Sequence, residues 1–142
     1  MPSTSTKRRA RIQPLFNYWV PMLGLSTWDI TWNLVKEFEV STFVSTESAA
    51  RTYYGGPYRK AHIAFLRSAV DGSSPYELEL LVVHELTHVL LYDYEQLKGE
   101  LVGQVGEFAE RLRSATESAC DRIAMLLYRL RHGYKAGAYY ED

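Results

Sequence analysis

Long apolar runs are missing from this chain, and so is any excess of charge of one sign. No apolar stretch reaches the length needed to span a bilayer, and no secretory apolar segment follows the start. The sequence therefore predicts a protein with no membrane part. A formal net charge of −1 sets up no global field that would draw the chain to nucleic acid or lipid. Cysteine is nearly absent. The single Cys120 cannot close an internal disulfide, which favours a reducing compartment and makes the cytoplasm the expected location. No internal repeat or domain boundary is visible, and 142 residues suffice for one domain with a real core. Tyrosine is the plentiful residue, with 11 copies. Its apolar ring and polar tip suit clefts and interfaces as well as cores.

Along the chain, residues 1–11 read as a flexible basic N-terminal arm. Its Lys7, Arg8, Arg9 and Arg11 could touch phosphates, but the near-neutral balance argues against nucleic acid as the main partner. Ile12, Leu15, Phe16, Trp19, Val20 and Leu23 mark one face of a short helix, with Pro21 bending or ending it and Gly24 closing it. Trp28, Ile30, Trp32 and Leu34 alternate with polar residues, the pattern of a half-buried strand, which can fade or continue through Phe38, Val40 and Phe43. Residues 50–66, folded about Gly55-Gly56-Pro57, predict a β-hairpin. Asp71-Gly72 marks a turn. Ser74-Pro75-Tyr76-Glu77 is a capping box with a proline start, opening a helix to about Gln96. Glycines 99 and 103 mark a loop, and a second long helix is expected from about Gln104 to Arg131, stopped by Gly133. Residues 135–142 form a C-terminal tail, leaving 12–134 as the domain.

The first of those long helices carries His84-Glu85-Leu86-Thr87-His88. Positions i and i+4 share a helix face, so His84 and His88 can point at one metal ion. Glu85, beside them, suits a base that takes a proton from water. Leucines and valines surround this helix almost all round, so these polar residues must line a cavity or bind something. A chance HExxH is expected in well under about one in a hundred chains of this length, and here it sits in a capped apolar helix.

A catalytic zinc site needs a third protein ligand and an open position. Glu117 is the leading candidate, because Glu117 and Asp121 form an E-x-x-x-D pair on one face of the second helix. One carboxylate can bind metal while the other holds a histidine by its second nitrogen. Both can equally be solvated helix acids. Glu107 and Glu110 compete with less support, having no acid or amide one turn later. Cys120 is expected on the apolar side of its helix. His62 could be a ligand, although a satisfied strand histidine is the ordinary reading.

The HELTH motif at 84–88 resembles the zincin metallopeptidases, and its pairing with Glu117 and Asp121 is similar to the gluzincin, thermolysin-type branch. The metzincin branch is excluded, since Leu91 and Tyr94 stand where its glycine and last histidine belong. Over roughly residues 15–132 the chain also resembles small zincin-like proteins encoded by phages and prophages, through the Leu-Gly-Leu-Ser…Trp entry at 23–28. Compact zincins that act on DNA-bound proteins or on repressors carry a zinc ribbon or a helix-turn-helix region, which this chain lacks. The resemblance implies an α+β, minimal zincin-like domain. In it a small, mostly antiparallel sheet packs on the HExxH helix and a long C-terminal helix. It implies one zinc ion on His84, His88 and Glu117, Asp121 as buttress, Glu85 as base, and a protein or peptide substrate. Thermolysin-type sites add a His or Tyr that steadies the oxyanion, and Tyr128, His132 and Tyr134 are the positional candidates. A strand such as 60–67 could pair with an extended substrate. A phage-encoded protein would work in the host cytoplasm. The alternative is a non-catalytic zinc-binding module acting on a host protein. Its closed site would need a fourth ligand, with His62 the obvious one.

Overall fold

Ser3 caps the first helix, α1 (Thr4–Met22), accepting a hydrogen bond from the Thr6 N–H at 3.2 Å. The computed structural model describes residues 2–38, 48–55, 58–102 and 106–133. The arm expected over residues 1–11 is thus helical from Thr4 onward. Its arginines have partners that linear sequence does not reveal. Arg8 forks onto Asp71 at 2.8 and 2.6 Å, and Arg11 donates to the carbonyls of Val70 and Ser73. Arg9 lies over the Trp32 ring, 5.2 Å from its centroid. These bonds seat the early turns on α2 (Arg67–Gly72), a short helix where only an Asp-Gly turn was expected. α1 ends close to Pro21, and Gly24, at φ 70°, closes it.

Three strands, β1 (Asp29–Val35), β2 (Ala50–Tyr54) and β3 (Lys60–Leu66), form one sheet in the order β1-β3-β2. β2 and β3 pair antiparallel, as a hairpin must. β1 pairs parallel to β3, so the sheet is mixed where a mostly antiparallel one was expected. Alternation reveals which residues share a face but not which way a neighbour runs. The extension of the first strand through Val40 and Phe43, and the Gly56-Pro57 turn, lie outside the described residues.

Ile63 and Phe65 of β3 are fully buried on the face that meets the helices, together with Ile12, Phe16 and Trp19 of α1. Phe16 stacks on Trp32 at 5.8 Å and meets Phe65 edge-on at 6.0 Å. On the other face His62 bonds to Thr31 at 2.7 Å and Asn33 at 2.9 Å, both on β1.

The capped helix α3 (Pro75–Leu90) follows, with Ser74 accepting from the Glu77 N–H at 3.1 Å. Its Leu78, Val82, Val83, Leu86 and Val89 are buried in the same core. The helix expected to reach Gln96 stops at Leu90. After a turn at Leu91 the chain re-enters helix as α4 (Tyr92–Val102), which includes Gly99, one of the two glycines expected to mark a loop. A single glycine costs a helix only about 1 kcal/mol, so it punctuates weakly. The last helix, α5 (Gly106–His132), packs along α3 and is closed by Gly133 at φ 84°. Among the described residues no helix is long and apolar enough to cross a membrane. The tail 135–142 lies outside them.

Candidate metal centre

α3 presents His84 and His88 one turn apart, and α5 lies across them with Glu117 and Asp121. Three ligand atoms meet there. The Nε2 atoms of the two histidines stand 3.2 Å apart, and the Glu117 carboxylate lies 3.0 Å from one and 3.1 Å from the other. Ligands about 2.0–2.1 Å from a tetrahedral ion sit roughly 3.3 Å from each other; the two Nε2 atoms have that spacing, and Glu117 sets Oε2 against His84 and Oε1 against His88. Among the described residues this trio is the one such group that could hold a metal ion. Two imidazole nitrogens facing each other need a shared cation or a proton between them, which is the chemical reason the set fits a metal.

The second nitrogens point the other way. His84 Nδ1 lies 2.7 Å from Asp121 Oδ1, and His88 Nδ1 lies 2.6 Å from Glu95 Oε1. A carboxylate on Nδ1 fixes the proton there and leaves Nε2 free for a metal. Sequence spacing points to the first of these partners and conceals the second. In an unbroken helix residues 88 and 95 would be separated by about 10.5 Å along the axis, and only pairs three or four apart meet. The turn at Leu91 reverses that expectation.

Glu85 faces β2. It is 5% exposed, and its Oε2 accepts a 2.6 Å hydrogen bond from Thr52 Oγ1. Thr52 stands opposite Ile63 in the ladder, so it shares the core face of the sheet, toward α3. Alternation within 50–54 is the signal that could have put Thr52 and Tyr54 on one face. Tyr54 donates to Glu95 Oε2 at 3.3 Å. Cys120 is also at this centre, buried, with Sγ 3.7 Å from His88 Nδ1.

The electrostatics follow from burial and from four carboxylates around two imidazoles. Burial opposes charge on His84, but the bond to Glu117 and the charge of Glu85 outweigh it, and its pKa rises. Burial likewise opposes charge on His88 and is outweighed by Cys120, Glu117 and Glu95. Glu117 is held far below the usual carboxylate range by hydrogen bonds to both histidines. Burial raises the Glu85 carboxyl, and the Thr52 bond offsets part of that rise. Negative charge in excess of the two rings is what a cation would balance.

Beside the cluster opens a cavity of about 430 Å³, lined by His84, Glu85, Glu117, Asp121 and apolar groups from Leu80, Leu81 and Met125. A larger cavity of about 530 Å³ lies between α1 and β1, but its one charged lining residue is Arg9 and it holds no comparable cluster.

The other sequence candidates stand elsewhere. Tyr128 is buried against the Tyr76 ring at 4.8 Å and the His132 ring at 4.4 Å. His132 Nε2 lies 2.8 Å from Glu79 Oε2. Neither lines the cavity beside the cluster. Tyr134 is outside the described residues, as is the side chain of Glu107, while Glu110 pairs with Arg113 at 2.7 Å. His62 is held on the opposite face of the sheet. Compared with protein-family models, curated proteins and solved structures, the chain matches none of them.

Proposed function

We propose that this chain is a zinc-dependent metallopeptidase, with His84, His88 and Glu117 as ligands and Glu85 as the general base. The observation that carries this reading is the convergence of His84, His88 and Glu117, whose ligand atoms lie within 4.8 Å of one another, beside a buried carboxylate. Zinc bound there would activate water near neutral pH and polarise a substrate carbonyl.

The chain's own residues would do the rest. Glu85 takes the proton from the attacking water and passes it to the leaving amine. Burial suits it to that task by keeping the carboxylate basic. Thr52 holds Oε2 and leaves the other oxygen for the proton. Asp121 keeps the His84 ring turned toward the cluster. An extended peptide would add to the sheet at β2, the edge strand next to α3. The strand at 60–67 is unsuited to this, because β3 lies in the centre with both edges paired.

A closed, purely structural site would need a fourth protein ligand. His62, the candidate for that place, is occupied with Thr31 and Asn33. The test is metal analysis combined with peptide hydrolysis. Glu117→Ala is expected to lose zinc. Glu85→Gln is expected to keep zinc and lose about 10²–10⁴-fold in hydrolysis. Full zinc occupancy in Glu117→Ala would move the third ligand elsewhere, and full activity in Glu85→Gln would remove it as the base.

A further inference from the structure

We propose that Glu95 is a positioning residue for the metal centre. It is delivered by α4 and orients His88 as Asp121 orients His84, so that the site is built from three helices. This rests on the metal reading above.

The geometry is specific. Glu95 Oε1 lies 2.6 Å from His88 Nδ1, and Oε2 accepts from the Tyr54 hydroxyl at 3.3 Å. Both carboxylate oxygens are thus engaged, one by α3 and one by β2. The Tyr92 ring, at the start of α4, packs 4.7 Å from Tyr54 and 5.3 Å from Trp28. That aromatic contact anchors the turn that carries Glu95. Cys120 Sγ also approaches Nδ1, but at 3.7 Å and as a weak acceptor it does not compete with a carboxylate at 2.6 Å. Glu95 is the better shielded buttress, its side chain 16% exposed against 68% for Asp121. Shielding from water strengthens a charge-assisted bond. A ring held by Nδ1 keeps its Nε2 lone pair directed at the cluster. Without the carboxylate, the tautomer and ring angle of His88 are both released.

The experiment is zinc titration of the metal-free chain against a competing chelator, for wild type, Glu95→Gln and Glu95→Ala. Glu95→Ala is expected to bind zinc about 10–100-fold more weakly. Glu95→Gln still accepts from Nδ1–H without the charge, so it should fall between the two. NMR of the zinc-loaded protein adds a readout that a merely structural role would not move. A protected His88 Nδ1–H signal is expected in wild type and Glu95→Gln, and its loss in Glu95→Ala. Wild-type affinity in both variants, or an unchanged His88 ring signal in Glu95→Ala, would overturn the role of Glu95. If Glu95→Ala fails to fold, Glu95→Gln carries the test, and equal affinity there overturns a charged buttress. A wild-type chain that takes up no zinc would instead overturn the metal centre itself, an outcome visible before any variant is made.

Discussion

His84 and His88 each use two nitrogens for opposite purposes, one given to a carboxylate and one kept for the cluster. In the metal-free protein this produces a defined pH window. The raised histidines stabilise the fold fully below their ordinary value of 6.5, and that contribution is lost as pH rises through their raised values. The depressed Glu117 stabilises it fully above its ordinary 4.5, and that contribution is lost as pH falls through its lowered value. Glu85, raised by burial, favours the fold fully below its ordinary 4.5, and that contribution is lost as pH rises through its raised value. The histidine and Glu117 contributions are both full only between pH 4.5 and 6.5, and Glu85 moves the stability maximum of the metal-free chain toward the acid end of that window. On the proposed reading, zinc must displace protons from the ring nitrogens, so its stabilising effect should be much larger at pH 7.5 than at pH 5. Thermal melts with and without zinc at the two values check this. An equal zinc-induced shift at both would mean that the histidines are not the ligands.

At the scale of elements, α3 is the helix on which the centre depends, and its start is written locally. Ser74 accepts from the Glu77 N–H and donates to the Glu77 carboxylate at 3.1 Å, while Pro75 fills the first turn. Ser74→Ala should lower stability by about 1 kcal/mol, read from a urea melt. Because the cap lies more than two turns before His84, zinc affinity should change little. The end of α3 is a different case. No proline or glycine marks Leu91, and the turn there serves to bring Glu95 back toward His88. Local propensity marks it only weakly, since Tyr92, Asp93 and Tyr94 are poorer helix formers that each cost about 0.7 kcal/mol at most. The parallel pairing of β1 with β3 was hidden for a similar reason, because strand direction depends on the path between strands and not on their faces.

At the scale of the molecule, α1, α3 and α5 are joined by one buried carboxylate. Glu79 accepts from the Trp19 indole at 2.9 Å and pairs with Arg131 and with His132. It is 5% exposed, so its partners matter more than its charge alone. Glu79→Ala strips partners from groups on two helices and should destabilise the chain by about 1–3 kcal/mol, measured by denaturant unfolding. A cost near zero would mean that α5 is held by its apolar face alone. This network also accounts for the place of His132, which the end of a helix could not disclose: it closes a helix junction.

The sequence by itself determined which polar side chains share a helix face and the helices that carry them. His84 and His88 are set by helical period, and Glu117 with Asp121 by the same four-residue step, because a helix face is a property of spacing alone. It also determined the capped start of α3 and the glycine stop of α5. Only the tertiary structure decided that α5 crosses α3 where these groups meet, that Thr52 reaches Glu85, and that Glu95 returns to His88. It alone decided that the early basic residues fold as helix on α2, and that the sheet is mixed. The division has one physical cause. Periodicity is carried by neighbours along the chain, whereas contacts between elements are selected by burial and by the pairing of polar groups after the elements pack.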